Sequence, residues 1–254
     1  MGNAYEERLG TDRMLPLIFK MSLPAVAAQL VNLLYNIVDR IYIGHIPGIG
    51  TDALAGIGVT SAVIILISSF SAIVGAGGSP LAAIALGQGN RERAGQILGN
   101  GFILLLIFTI LTSATTYLFM EPILLFTGAS ENTIGYATDY LSIYLLGTLF
   151  VELSVGLNTF INTQGRPTIA MYSVLIGAIL NIGLDPLFIF TFGMGVKGAA
   201  LATILSQACS AIWVISFLTS KKASLRLEYR YMKLHKGIIL SILALGVSPF
   251  IMAS

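Results

Sequence analysis

The sequence predicts an all-α membrane protein built as a six-helix bundle, and three observations support that fold class. The chain is 56% hydrophobic and only 10% charged, whereas soluble domains carry about 25% charged residues. Long apolar runs recur along it, each near the roughly 20 residues that a helix needs to cross a bilayer core. Short connectors rich in Gly, Pro, Asn and charged residues separate these runs. Such a chain cannot cover itself with a water-compatible surface and belongs in a lipid bilayer.

Six apolar runs are long enough to span the bilayer. They cover residues 15–43, 54–86, 96–120, 136–162, 168–191 and 197–219. A seventh run, 237–254, is too short for a complete span, so we expect it to be the truncated start of helix 7 in a second lobe. The predicted organisation is an N-terminal segment over 1–14, a six-helix lobe over 15–220, a basic inter-lobe linker over 221–236 and this seventh helix.

The positions of the basic residues predict the orientation, because Lys and Arg accumulate in cytoplasmic loops. Of the 14 Lys and Arg residues, 12 lie within the first 20 residues, in the connectors after spans two and four, or in the segment after span six. Arg40 and Lys197 lie on the opposite side. We therefore expect a cytoplasmic N-terminus in a multi-pass protein of the plasma (inner) membrane.

The sequence carries no motif typical of several other classes of protein. There is no G-x-x-x-x-G-K-S/T motif for binding ATP. Cys209 is the single cysteine, and His45 and His235 have no companions at metal-ligand spacing. The basic residues are not interleaved with aromatic residues as on a nucleic-acid-binding surface. We therefore expect no enzyme activity, no cofactor and no nucleic-acid partner.

Span one carries a polar stripe that ends in an acid. Its polar residues recur at helical spacing and therefore share one helical face. They are Gln29, Asn32, Tyr35, Asn36 and Asp39. Arg40 is a poor partner for Asp39, because sequence neighbours diverge by about 100° around a helix. A stripe of this kind needs a neighbour other than lipid.

Three later spans carry polar faces as well. Asn181 and Asp185 lie at i, i+4 on span five, and Pro186 leaves the carbonyl four residues earlier without its helical donor. Span four offers Glu152 and Asn158, and span six offers Ala199, Thr203 and Gln207. An ionised Asp at the membrane centre costs at least about 2.5 kcal/mol, so such acids usually line a water-filled cavity or an ion pathway. We expect this of Asp39 and Asp185, whereas Glu152 either lines the same cavity or meets a structural partner.

Two acids on different helices, each beside amides and hydroxyls, form a small site of hard oxygen ligands. Burial and a neighbouring acid both favour the protonated form of a carboxyl group, so one of the pair can carry a proton. A sodium ion would instead stabilise both acids in their ionised form, held by Asp39, Asn181, Asp185 and Thr203. The sequence leaves both ions open. It also leaves open a non-transporting scaffold subunit whose polar residues only hydrogen-bond adjacent helices.

Five motifs, in order and in their expected spans, carry a resemblance to one family. They are NIVDRIYIG in span one, GSPLAAIALGQGNRERA ending span two, GLNTFINTQGRP closing span four, NIGLDPLFIF in span five and GMGVKGAALATILSQ entering span six. Together they are similar to the N-terminal lobe of the multidrug and toxic compound extrusion (MATE) transporters over essentially the whole chain. Members of that family have twelve spans in two six-helix lobes.

The resemblance implies a secondary antiporter that exports amphipathic, often cationic, drug-like molecules in exchange for protons or sodium ions. It implies a cation site formed by Asp39, Asn181, Asp185, Thr203, the backbone of Ala199 and, beside them, Asn158. The other candidates for the cavity wall are Gln29, Asn32, Tyr35, Asn36, Glu152 and Gln207. Pro24 resembles the proline at which the first helix bends, and Pro186 is a second candidate bend. The C-terminal lobe is the implied partner, since the substrate cavity lies between the lobes.

An alternative of similar architecture is a flippase for lipid-linked saccharides. Basic residues along the central cavity would favour it, because they would bind the pyrophosphate of such a substrate. Arg40, at the end of span one, is the one candidate for that role.

Overall fold

The computed structural model describes the backbone of residues 14–253 and the side chains of Ile18, Phe19 and residues 22–247. Eight α-helices occupy most of this part of the chain, and it contains no β-strand. They are α1 Met14–Gly44, α2 Gly50–Gly87, α3 Arg91–Leu118, α4 Met120–Phe126, α5 Ile134–Thr163, α6 Pro167–Pro186, α7 Val196–Thr219 and α8 Lys236–Ala253. A π-helical turn at Leu187–Thr191 follows α6, and a 3₁₀ turn at Tyr229–Tyr231 precedes α8. The predicted all-α fold class is confirmed.

Five helical segments in the described residues are long and apolar enough to cross a membrane. They are α2, α3, α5, α6 extended by its π turn to Thr191, and α7. Helix α1 matches them in length at 31 residues, although the structure describes only part of its side chains. The apolar part of α8 described by the structure ends at Val247 and is shorter than a span. The chain is therefore a multi-pass membrane protein, as predicted.

Helix boundaries follow local sequence signals. Asn90 caps α3, since its Oδ1 accepts a hydrogen bond from the amide of Arg93 at 2.9 Å. Pro167 opens α6, where its missing amide is not needed. Gly89 and Gly165, which precede these two helices, have φ angles of 73° and 72°. Only glycine adopts that backbone conformation at little cost, so each connector turns sharply into the next helix.

Helix α4 was not anticipated from the sequence. The residues after span three read as a connector, but Met120–Phe126 forms a short helix whose Met120 and Leu124 are buried. These two side chains pack in a small apolar cluster with residues of α2 and α5, including Ile67 and Leu141. Packing against α2 and α5 therefore makes this segment helical, although the sequence suggested a connector.

Helix α5 occupies the centre of the bundle, packed between α2, α3 and α7. The main apolar core lies along its second half, where the largest side chains are fully enclosed. Among them are Leu98, Leu105, Leu157, Phe160 and Leu218. Burying such a side chain contributes about 1.5–3 kcal/mol in a water-exposed fold. In a bilayer, where lipid replaces water outside, close packing supplies more of the stability.

Helix α1 stands at the edge of the bundle and packs mainly along α6. Large apolar side chains on its outer side are exposed, among them Leu30, Leu33, Leu34 and Ile37. An apolar face of this size is costly in water but is solvated well by lipid tails. Of the polar stripe on the same helix, Tyr35 and Asp39 are partly buried, whereas Gln29, Asn32 and Asn36 are exposed. The contact with α6 therefore encloses only part of the stripe, which includes an oxygen of Asp39.

Glycines allow α2 and α8 to approach until their backbones touch. A Cβ atom added at Gly77 would collide with the carbonyl oxygen of Ile242, and one added at Gly246 would collide with that of Ile73. In a bilayer, close approach of this kind is the main source of helix association. The glycine-rich stretch at 75–80 is thus a packing surface, which agrees with its place inside an apolar span.

We predict that Gly77→Val destabilises the protein by about 1–3 kcal/mol, the usual cost of overpacking a well-filled interface. The added side chain forces α2 and α8 apart. The measurement is the thermal unfolding midpoint in detergent micelles. Gly58→Ala is the matched control on the same helix, because a Cβ atom at Gly58 meets nothing within 4 Å. Equal midpoints for both variants would contradict the proposed interface.

Candidate functional site

The packing of α1 along α6 brings two acids face to face. Asp39 lies near the end of α1 and Asp185 near the end of α6, and their carboxyl groups are close enough to share a proton. Two ionised carboxylates accept hydrogen bonds but donate none, so they cannot bond to one another directly. Either a proton or a cation between them is required to make this arrangement favourable.

Asp185 is fully buried and only partly satisfied. Its Oδ1 accepts a hydrogen bond from Nδ2 of Asn181 at 3.2 Å, as the i, i+4 spacing predicts. Its Oδ2 is enclosed and has no hydrogen-bond partner, and the same is true of Oδ1 of Asp39 and Oδ1 of Asn181. An enclosed acceptor without a donor costs roughly 1–3 kcal/mol, and more for a charged group. Each of these three oxygens is therefore open to a donor or a positive partner, such as a proton, a positive ion or a water molecule.

Thr203 and Ala199 on α7 close one side of this set. The Thr203 hydroxyl donates to the carbonyl oxygen of Ala199 at 3.0 Å, and Nδ2 of Asn181 lies 3.5 Å from Oγ1 of Thr203. Both residues on α7 occupy the face that the sequence assigned to them. The structure thus brings Asp39, Asn181, Asp185 and Thr203 together, with Ala199 behind Thr203.

The ligand types in this cluster suit a proton or a hard monovalent cation. Carboxylate, amide and hydroxyl oxygens favour hard ions, whereas transition metals prefer imidazole and thiolate. Within the described part of the chain, no group of three or more His, Cys, Asp and Glu residues could hold a metal. The orphaned oxygens of Asp39, Asn181 and Asp185 fit a sodium ion as ligands, and they fit a proton shared by the two acids equally well.

A cavity of about 420 Å³ lies among α1, α2, α5, α6 and α7. Its wall includes five of the polar residues identified in the sequence. They are Gln29, Asn32, Tyr35, Asn158 and Gln207. Other polar groups in the wall include the hydroxyl of Ser154, which donates to Oε1 of Gln207 at 2.7 Å. The residues that line this cavity are uncharged.

Asn158 lies in the cavity wall rather than among the groups that contact Asp185. Its Nδ2 donates to the carbonyl oxygen of Ala170 at 3.2 Å. Its Oδ1 is buried without a partner. Asn158 therefore offers one further acceptor, on the side of the site that faces the cavity.

Asn36 and Glu152 do not line this cavity. Asn36 faces a shallow depression beside Arg40, and its Nδ2 donates to the carbonyl oxygen of Asn32 within its own helix at 2.7 Å. Glu152 is buried between α5 and α2, where its Oε1 accepts a hydrogen bond from Ser68 at 3.2 Å. Glu152 thus joins two helices from behind the cavity wall.

The two prolines lie at different kinds of position. Pro24 is inside α1, and the helix continues through it. Pro186 ends α6 one residue after Asp185, and the backbone then widens into the π turn, in which the amide of Phe192 donates to the carbonyl oxygen of Leu187 at 2.9 Å. A π turn beside a buried acid loosens the backbone hydrogen bonding there.

Sequence reasoning missed two tyrosines that border the site. Tyr140 is buried on α5 next to Thr203 and near Asp39, and its ring stacks with that of Tyr144 at a centroid distance of 6.0 Å. Tyr144 lies in the cavity wall. The signal was present, because residues 140, 144, 148 and 152 recur at i, i+4 and carry polar groups throughout. A phenol beside the acids adds a hydroxyl that can donate to them.

The fold and this cluster define a class: a polytopic helical membrane protein with paired acids and a polar cavity inside one bundle. Residues 24–187 match the MatE family model. The chain belongs to the MatE family.

The relatives of this chain include named transporters. The chain spans about half the length of the relatives that match most of it. It is 28% identical over 231 residues to the multidrug export protein MepA of Staphylococcus haemolyticus, covering 91% of this chain and 51% of that protein. It is 34% identical over 194 residues to an FAD transporter of Shewanella oneidensis, covering 74% and 42%. A crystal structure of MATE in the bent conformation superposes with a TM-score of 0.84 at 28% identity, covering 92% and 52%.

We predict that Asp185→Asn makes thermal stability insensitive to the bound ion. The Asn amide donates to Asp39 directly, so the pair no longer needs a proton or sodium. An ion present at 100 times its Kd stabilises by about 2.7 kcal/mol, which corresponds to roughly 5–10 °C for a chain of this size. The measurement is the thermal unfolding midpoint from about pH 5 to about pH 8. Each pH is measured once in sodium chloride and once in a choline salt.

Asp139→Asn is the control, because Asp139 is an exposed acid on α5 whose carboxylate pairs with Lys197 at 3.2 Å. Exposed pairs of this kind contribute little. The control should keep the ion response of the parent protein. If Asp185→Asn keeps it as well, the acids do not form the ion site.

Proposed function

We propose that this chain is the ion-coupled lobe of a secondary antiporter. The transporter would export amphipathic, cationic small molecules in exchange for protons or sodium ions. The observation that carries the proposal is the facing pair Asp39 and Asp185 with its orphaned oxygens. Membership of the MatE family and the named multidrug exporter among its relatives support it.

The coupling argument begins with the position of α1. This helix has few neighbours other than α6, and the acid pair lies in that contact. An ion between the acids draws the two helices together, whereas two ionised carboxylates without an ion repel each other. Ion binding therefore favours the arrangement in which α1 is docked. A cycle follows if the substrate favours the other arrangement, because coupling requires ion and substrate to prefer different states.

Pro24 gives α1 a place to bend. Its ring removes one backbone hydrogen bond and crowds the preceding turn, so the helix is weakest there. In this proposal the segment between Pro24 and Asp39 moves as a unit when the ion leaves. Pro186, beside Asp185, ends the regular hydrogen bonding of α6, so that α6 can also change shape near the acid pair.

The architecture of the whole transporter is part of the proposal. Residues 15–220 form one lobe, residues 221–236 a linker, and the helix that begins near residue 237 belongs to a second lobe. The basic residues on one side favour a cytoplasmic N-terminus in the plasma membrane. The substrate then binds between the lobes in the lipid bilayer, with the uncharged cavity of this lobe as one wall.

A flavin nucleotide is a second candidate substrate, because an FAD transporter is 34% identical to this chain over 194 residues. The uncharged amides of the cavity wall neither repel an anionic dinucleotide nor attract a cation. The saccharide flippase is less favoured, since Arg40 borders a separate shallow depression and the cavity wall carries no basic residue. A scaffold is less favoured too, because Asp39 and Asp185 each have an enclosed oxygen without a hydrogen-bond partner.

The direct test is transport by the intact transporter that carries this chain, reconstituted in liposomes. Efflux of ethidium or of FAD is followed while a proton or a sodium gradient is imposed. We expect Asp39→Asn and Asp185→Asn to lower gradient-driven efflux by about 5- to 150-fold, the usual range for coupling between two sites. Asp52→Asn, which alters an exposed acid in the first turn of α2, should leave efflux unchanged.

Unchanged gradient dependence in both acid variants would contradict the assignment of the ion site. Loss of all transport with normal folding and normal ion response would instead place the acids in substrate handling. The imposed gradient that drives efflux identifies the ion, and the compound that is exported identifies the substrate class.

A further inference from the structure

A basic pocket lies at the end of the bundle opposite the acid pair. Its wall comes from three parts of the chain: the start of α3, the start of α6 and the segment after α7. The pocket has a volume of about 800 Å³. Its basic residues are Arg91, Arg166, Lys221, Lys222, Arg226 and Arg230, and Glu228 is the acid among the lining residues.

The segment after α7 is an ordered strap and not a loose connector. Ala223, Leu225 and Leu227 are buried in the main core, and the residues between them face the pocket. This alternation is that of an extended chain with one apolar side. The amide of Leu225 donates to Oε1 of Gln164 at 3.0 Å, and the amide of Leu227 donates to the carbonyl oxygen of Leu218 at 2.9 Å.

The strap is held at its far end by α3. The amide of His235 donates to Oδ1 of Asn100 at 2.8 Å, and Nδ2 of Asn100 donates to the carbonyl oxygen of Lys233 at 3.1 Å. Gly95 and Gly99 make room for Tyr231, since a Cβ atom at either position would collide with it. The pocket wall is therefore fixed at both ends before any ligand arrives.

The charges in this wall are unbalanced. Glu228 forms a salt bridge with Arg230, in which Oε2 of Glu228 lies 2.7 Å from Nε of Arg230. The Arg226 guanidinium donates to the carbonyl oxygens of Ala223 and Lys221, which closes the turn of the strap. Lys221 and Lys222 are exposed, and neither forms an ion pair among the described residues. Lys221 and Lys222 therefore bring positive charge to the pocket that Glu228 does not neutralise.

Two helix N-termini add to that charge. Helix α3 begins at Arg91 and α6 begins at Pro167, directly after Arg166. The N-terminus of a helix carries about half a positive elementary charge. Helix N-termini and arginines are both suited to binding phosphate.

We propose that the basic pocket binds a phosphate-bearing anion. Topology requires basic residues on one side of the membrane but does not require them to surround a cavity. Here the six basic residues converge on one concavity from three separate parts of the chain, and its wall is anchored in the core. The shared chemistry is a phosphate group, supplied either by a lipid headgroup at the membrane surface or by a soluble phosphate compound.

The test uses the purified chain in nanodiscs of phosphatidylcholine, titrated with sodium pyrophosphate in a calorimeter. In parallel, native mass spectrometry measures retention of phosphatidylglycerol from mixed micelles with phosphatidylcholine. The variant is Lys221→Gln with Lys222→Gln, since these side chains hold no other part of the structure. We expect binding of at least one probe, weakened about 30-fold in this variant, because each basic residue near an anionic surface contributes roughly fivefold.

The matched control is Lys233→Gln with Lys236→Gln. It removes the same charge from the same segment, but both side chains are exposed and lie outside the pocket wall. Pyrophosphate binding that depends on Lys221 and Lys222 identifies a soluble ligand, and phosphatidylglycerol retention alone identifies a headgroup. Equal losses in variant and control would show nonspecific surface charge and overturn the proposal. So would the absence of binding by both probes.

Discussion

The structure depends on one electrostatic constraint: two carboxyl groups on neighbouring helices, each with an enclosed oxygen, lie within reach of a single proton. Asp39 and Asp185 cannot both be ionised at that separation without a positive partner. Asn181 satisfies one oxygen of Asp185, which leaves an oxygen on each acid unpaired. Because α1 has little other support than α6, the state of this pair bears directly on how α1 is held.

Much of the site could be predicted from the sequence, because helical spacing is a strict geometric rule. Asn181 and Asp185 at i, i+4 and the polar stripe on α1 fix which side chains share a face. The cost of burying an acid in a membrane then indicates that the faces meet. Glu152 and Asn36 show where this reasoning stops. A polar residue on the correct helix still turns toward whichever neighbour the packing supplies, Ser68 for Glu152 and its own backbone for Asn36.

The features that sequence reasoning missed depend on contacts between distant segments. Helix α4 forms because α2 and α5 offer it an apolar surface. The strap after α7 is ordered because Asn100 and Gln164, far away in sequence, bind its backbone. In the sequence that segment is only a run of basic residues. Its alternating apolar positions are visible there, but the groove that receives them exists only after α3 and α5 have packed.

The backbone contact between α2 and α8 bears on where the protein divides mechanically. In the organisation predicted from the sequence, the boundary between the two proposed lobes falls in the linker before residue 237. In the structure, the close contacts at Gly77 and Gly246 pack α8 against α2. Asn100 of α3 binds the strap just before α8 begins. The first turns of α8 are therefore packed as part of the first bundle. If a second lobe rocks against this bundle, as proposed, the hinge would lie beyond Gly246, inside the membrane, where lipid thickness and tension would act on it directly.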